Sequence, residues 1–207
     1  MVITEAKFEF DLSGGSLCLD FTNTLSDRAG QPEEHLHAYA DLLEFARQAG
    51  GMPAGEVEEL ATEAARDPAA ADHVVAEARL KREVMYRIFR AIAGGGAPSD
   101  SDLGTLNSVL VEGLAKARLV REGDAYRWSW AGECSCLERP VWQIAHSAAD
   151  LLASGQLDRV RRCGSDTCEW LFLDGSRNRS RRWCDMSTCG NREKARKHYR
   201  KAKESAD

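Results

Sequence analysis

The stretch from Cys163 to Arg192 reads CGSDTCEWLFLDGSRNRSRRWCDMSTCGNR, and its four cysteines form two pairs of equal spacing. Four residues separate Cys163 from Cys168 and four separate Cys184 from Cys189, with fifteen residues between the pairs. Each pair brings two thiolates together across a tight turn, and a hairpin-sized insert lets the pairs meet. A tetrahedral structural zinc site needs this arrangement. The commoner zinc knuckle has two intervening residues, so four imply a looser loop. A closed Zn2+ site made by Cys163, Cys168, Cys184 and Cys189 is favoured over free thiols or disulfides. With four protein ligands no position stays open for water or substrate, so such a metal holds a fold together and does not catalyse. The segment 159–207 is too small and too poor in apolar residues to fold well unaided.

Outward from the cysteines, Trp170, Phe172 and Trp183 are the expected miniature core, and Gly164, Gly175 and Gly190 supply turns. Residues 190–203 are expected to be helical, capped by Asn191 or Thr188. On that helix Arg192, Arg196, Tyr199, Arg200 and Lys203 project near one face. A hairpin with one ligand pair and a helix starting at the other is a treble-clef-like arrangement.

Upstream the pattern is mostly helical. Phe8 to Leu12 alternates like a short strand, and Leu17 to Leu25 leans helical. Residues 34–49, 55–66, 69–93 and 99–117 read as helices separated by breakers at Gly50-Gly51, Pro68 and Gly94-Gly95-Gly96. Residues 118–121 and 125–130 read as a hairpin around Glu122-Gly123-Asp124. Pro140 opens a helix through Leu152 whose core face holds Val141, Ile144, Ala145, Ala148, Leu151 and Leu152. The expected fold class is mainly α with a small β-hairpin content. A helical, regulatory or dimerising domain spans 1–158, and a treble-clef-like zinc finger with a basic C-terminal helix spans 159–207.

Of 207 residues, 43% are hydrophobic and 29% charged, which excludes wholesale disorder and a disulfide-only miniprotein. No apolar run is long enough to span a membrane, and residues 1–10 do not read as a secretory signal. Seven cysteines without such a signal fit a reducing compartment, so a cytoplasmic location is expected. The formal net charge of −5 hides an asymmetry. Residues 1–158 carry 14 basic and 26 acidic side chains, whereas residues 159–207 carry 14 basic and seven acidic ones. From Arg177 to Lys203, 11 basic residues meet only Asp185 and Glu193. A polyanionic partner explains this pattern, and so does a basic tail folded back on its own acidic domain.

Several strings carry a resemblance. Cys163 to Lys194, with Trp170-Leu171-Phe172-Leu173-Asp174, Arg181-Arg182-Trp183-Cys184-Asp185-Met186 and Cys189-Gly190-Asn191-Arg192, resembles the CGNR zinc finger. Gly14 to Leu25 and the Tyr126-Arg127-Trp128-Ser129-Trp130 strand are similar to the ABATE domain that usually precedes that finger. Together the two cover nearly the whole chain, and the C-terminal motif is the specific one. The resemblance implies a bacterial transcription regulator, stress-linked, with a DNA-binding zinc finger.

Four thiolates on Zn2+ leave two negative charges, which nearby cations and N–H groups offset. Arg162, beside Cys163, and Arg182, two positions before Cys184, are the expected flanking cations, with Asp174 orienting one guanidinium. Arg177, Arg179, Arg181, Arg192, Arg196, Lys197 and Arg200 exceed what that task needs and are the candidate nucleic-acid contacts. DNA is favoured over RNA mainly by the resemblance. One alternative is an interaction module whose basic finger docks an acidic partner. Another is a small-molecule sensor or enzyme with a pocket around Asp20, Asn23, Trp142 and His146, although satisfied core polar groups are the simpler reading. Cys18, Cys134 and Cys136 lack a matching second pair and are read as packing residues. His35 and His37 are read as a solvated helix start. No Walker loop, dinucleotide fingerprint, zincin helix or nucleophile elbow is present, so no enzyme is expected.

Overall fold

Asp67 and Pro68 open the longest helix, α4 (Pro68–Ala93), in the computed structural model, which describes residues 8–130 and 136–204 (198 and 200–204 by backbone alone). The Asp67 carboxylate accepts from the Ala70 amide at 3.0 Å, and Pro68 brings no amide that would need a partner. The other helices are α1 (Leu17–Thr22), α2 (Tyr39–Gln48), α3 (Ala54–Arg66), α5 (Asp100–Leu114), α6 (Arg139–Ala153) and α7 (Asn191–Glu204). α4 packs against α1, α2, α3 and α5, while α6 lies against α1 and α5. Their apolar stripes meet in one core around Phe21, Phe45, Leu60, Ile88, Phe89 and Ile144, all fully buried. Gly113 sets how closely α5 and α6 approach, because a Cβ there would stand 2.9 Å from the Trp142 Cβ.

Three two-stranded antiparallel sheets complete the described residues. β1 (Leu25–Ser26) pairs with β2 (Glu33–Glu34), and β3 (Arg118–Glu122) pairs with β4 (Ala125–Ser129) across a turn in which Gly123 has φ 63°. β5 (Val160–Arg162) pairs with β6 (Leu171–Leu173).

Two local expectations differ from this architecture. Residues 34–38 do not join α2. Glu34 is drawn into a two-point pair with Arg82, at 2.6 and 2.7 Å, and the Asp41 carboxylate accepts from the His37 and Ala38 amides, so the helix begins at Tyr39. Phe8 to Leu12 forms no strand, because its partner is a side chain. Gln48 accepts from the Phe10 amide at 2.9 Å and donates to the Phe8 carbonyl at 2.8 Å.

The β5–β6 hairpin is built into the helical core. Val160 and Leu171 are fully buried among the helices, and the hairpin packs on α1 and α4. Asn23, just past α1, stands in for a neighbouring strand. Its Oδ1 accepts from the Leu171 amide at 3.0 Å and its Nδ2 donates to the Leu171 carbonyl at 2.9 Å. The Leu173 amide donates to the Gly14 carbonyl at 2.8 Å, and the Ala29 amide donates to the Thr167 carbonyl at 3.0 Å. Asn23→Ala leaves a buried amide and a buried carbonyl without partners, so we expect a loss of about 3 kcal/mol in urea unfolding. A change below about 1 kcal/mol would mean that Asn23 does not hold this junction.

Candidate metal centre and basic face

Cys163 directly follows β5 and Cys168 precedes β6, so the first pair sits in the loop of the hairpin. Cys184 and Cys189 flank the start of a single π-helical turn, Met186–Gly190, that runs into α7. The residue that sets this turn is Asp185 and not Asn191 or Thr188. Its carboxylate accepts from the Ser187 and Thr188 amides at 2.7 and 3.0 Å, and the Ser187 hydroxyl, with these amides, holds it below the usual carboxylate range. The Cys163 amide donates to the Trp170 carbonyl at 2.7 Å and the Gly164 amide to the Arg182 carbonyl at 2.8 Å, which locks the two halves of the site together.

All four sulfurs are buried and lie within 4.8 Å of one another. The Cys184 Sγ is 3.7 Å from that of Cys168 and 3.6 Å from that of Cys189. Zinc–sulfur bonds of about 2.3 Å in a tetrahedron require sulfurs about 3.8 Å apart, so the donor set fits Zn2+. The Cys184 amide donates to Cys163 Sγ at 3.4 Å and offsets part of the thiolate charge. Phe172 is fully buried behind the cluster, with Trp170 and Trp183 partly buried against it. When bound, the zinc supplies cross-linking between hairpin and helix, and no side chain in its first sphere is left for chemistry.

Two family models match the chain. One, described as "Putative stress-induced transcription regulator" and named ABATE, matches residues 15–155. The chain belongs to the ABATE family. The other, the CGNR zinc finger, matches residues 159–202. No curated protein matches this sequence. The ABATE and CGNR families are of regulator and zinc-finger type, and among the described residues no helix is long and apolar enough to cross a membrane.

Around the ABATE–finger junction the flanking residues divide by what they touch. Arg162 is half exposed and pairs with Glu169 at 2.6 Å. Asp174 is fully buried, where it accepts from the Ser176 amide, the Ser176 hydroxyl and the Arg181 amide and so shapes the 176–181 loop. Arg182 is exposed, its guanidinium 5.3 Å from the Trp183 ring. Arg181 has a set of partners that no spacing announced. Its guanidinium lies 4.4 Å over the Phe172 ring and donates to the Trp183 carbonyl at 3.0 Å, to the Cys184 carbonyl and to the Ser13 carbonyl at 3.1 Å. It thereby ties the ligand loop to the ABATE domain.

Arg177 and Lys197 are exposed and have no ion pair among the described residues. Arg179 pairs with Asp158, and Arg196 stands 3.1 Å from Glu193 and 3.5 Å from Asp166. Arg192 reaches Thr167 at 3.5 Å, and Tyr199 is 78% exposed beside Arg196. Arg192 lines a groove of about 440 Å³ together with Asp27 and Glu33 of the ABATE domain. The Thr167 hydroxyl, the Gln31 amide and the charges of Arg192 and Arg196 hold the Asp27 carboxyl below its ordinary range.

Among the described residues, Asp20 and Asn23 line a different cleft from His146: theirs is small and includes Phe10 and Trp170, whereas His146 borders one with Trp128 and Trp130. Asp20 accepts from the Gly14 amide at 2.7 Å and is nearly buried, and that burial pushes its carboxyl up to about 7. The unfolded chain ionises Asp20 near pH 4, so its contribution to stability is fully present below that pH and is lost as pH rises through about 7. We expect the native melting temperature to fall between pH 5 and pH 8 and the slope to flatten in Asp20→Asn. An unchanged slope in that variant would remove Asp20 as its source. Cys18 is buried, and burial pushes its thiol up to about 11, so it stays protonated. Cys136, read as a packing thiol, is disulfide-bonded, and the reading of Cys134 falls outside the described residues.

Proposed function

We propose that the protein is a cytoplasmic transcription regulator that binds duplex DNA through the basic face of its zinc finger. The carrying observation is a cationic surface beside a four-sulfur centre: exposed Arg177, Arg192 and Lys197, half-buried Arg196, and the exposed aromatic Tyr199. Asp174 shapes the 176–181 loop, and a zinc held by the four cysteines would fix the start of α7, in neither case using the charges of the basic face. Phosphates supply most of the affinity for such a face, and base edges supply the sequence preference. Arg179 and Arg200 belong to the same basic run, whereas Arg181 is committed to carbonyls of the ligand loop and is the one set aside as a phosphate contact.

A second reading has its own support. Asp27 and Glu33 share a groove with Arg192, and Asp27 feels the charges of Arg192 and Arg196, so the ABATE domain offers acidic groups to the finger, as an intramolecular or protein-docking role for the basic helix requires. Genome-wide enrichment of DNA on the zinc-loaded protein, with a Cys189→Ser variant as control, separates the readings. Enrichment of defined sites lost in the variant supports DNA recognition. Absence of enrichment at moderate salt sinks it and leaves docking in the lead. An RNA library run in parallel tests whether the surface prefers single strands.

A further inference from the structure

A second cleft, remote in sequence from the finger, lies between the β3–β4 hairpin and α6 and has a volume of about 460 Å³. That size is within the range of small-molecule sites. Three of its lining residues, Trp128, Trp130 and His146, carry rings. The His146 ring sits between Trp128 and Trp130, with centroids 5.5 Å from each. Trp130 is held in place by donating its indole N–H to the Gly113 carbonyl at 3.0 Å, so it is a fixed wall. Trp128 is 43% exposed, an indole face left open at the mouth.

Gln143 lines the same cleft and is only 5% exposed, yet its Oε1 has no hydrogen-bond partner among the described residues. A buried carbonyl oxygen without a donor is costly and uncommon in a finished core. It sits one turn before His146 and Ser147 on α6, on the face turned toward the two indoles. Once the Gln143 carboxamide turns this sealed oxygen toward the cleft, a ligand that brings an N–H to it removes the cost.

The charges select the sign of that ligand. Glu122 and Asp150 both border the cleft, and Asp150 Oδ2 lies 3.2 Å from His146 Nδ1. The one permanent cation on the lining, Arg127, is already matched by Glu56 at 3.3 Å and Glu122 at 3.2 Å. Two carboxylates, Glu122 and Asp150, against the single guanidinium of Arg127 leave the lining net negative, and indole faces and carboxylates both attract a cation.

We propose that this cleft binds a small planar organic cation, an amine or amidinium, whose N–H donates to Gln143 Oε1 and whose charge lies between the indole of Trp128 and the carboxylate of Asp150. The site is independent of the DNA-binding reading and gives the ABATE domain a ligand class of its own.

Three ring compounds of one size decide the matter: benzamidine (cation), benzamide (neutral) and benzoate (anion). Each is titrated into the full zinc-loaded chain by calorimetry, with tryptamine as a second cation. The cations are expected to bind at least about tenfold more tightly than benzamide, with no heat from benzoate. Gln143→Met and Trp128→Ala should each weaken cation binding by about tenfold. Gln143→Met should also raise the melting temperature, because it removes an unpaired buried polar group. Leu80→Ala, an exposed position on α4, should change nothing. Should Gln143→Met fail to fold, the surface position of Trp128 keeps the test available. No binding of either cation, equal binding of benzoate, or unchanged affinity in both variants overturns the proposal.

Discussion

Cys184→Ser is expected to release the zinc and to lower the stability of the whole chain, not of the finger alone. A serine hydroxyl is a poor replacement for a thiolate, and the binding free energy of a structural zinc, about 10–16 kcal/mol in small fingers, is folding free energy. Without the metal, Cys163 and Cys168 no longer close the β5–β6 loop and Asp185 no longer presents Cys189. Among the described residues, Phe172 is the one fully buried apolar side chain in the cluster around the cysteines, too little to persist alone. The damage spreads because Val160 and Leu171 sit in the helical core and Leu171 is held at both backbone atoms by Asn23. Metal analysis should show one zinc per native chain and none in the variant. Urea unfolding should move to lower concentration for the helical signal as well as for Trp170 and Trp183 fluorescence. Full zinc content in Cys184→Ser would reject the site, and an unshifted helical transition would show that hairpin and helices are energetically separate. Cys18→Ser should keep its metal.

Removing the basic face is expected to act on affinity and leave the fold alone. Arg177, Arg192, Arg196 and Lys197 changed together to Ala should retain zinc and melt near the native temperature. The ion pairs of Arg196 are partly exposed and worth little, and Ala favours helix. Duplex affinity should fall by roughly 10²- to 10³-fold at low salt, and the slope of log affinity against log salt should flatten by about one for each lost phosphate contact. Arg181→Ala is the contrasting variant. It strips donors from the Trp183, Cys184 and Ser13 carbonyls, so it should lose stability or zinc before any change in salt slope. A quadruple variant with native affinity and slope would end the phosphate-contact assignment.

Much of this was readable along the chain. The two cysteine pairs announce their metal because ligand spacing is a local property, and α3, α4, α5 and α6 follow from apolar periodicity, with Pro68 separating α3 from α4 and the proline at 140 opening α6. The β3–β4 hairpin follows from alternation around Gly123. Other features lie beyond such reading because a long polar side chain can satisfy backbone many residues away. Gln48 replaces a strand for Phe8 to Leu12, and Arg82 holds Glu34 and the β1–β2 hairpin out of α2. Asn23 and Arg181 join the finger to the ABATE domain across separations of 148 and 168 residues.

Sequence by itself determined the metal, its four ligands, the helical character of the first part and the concentration of positive charge in the second. Each depends on residues a few positions apart, where chain geometry dictates what can meet. Tertiary structure alone decided that the hairpin shares the helical core, that Arg181 is spent on carbonyls while Arg177 and Lys197 face solvent, and that Gln143 is buried without a partner beside two indoles. Those outcomes depend on which distant groups remain unsatisfied once the helices have packed, and buried polar groups must find partners wherever the fold places them.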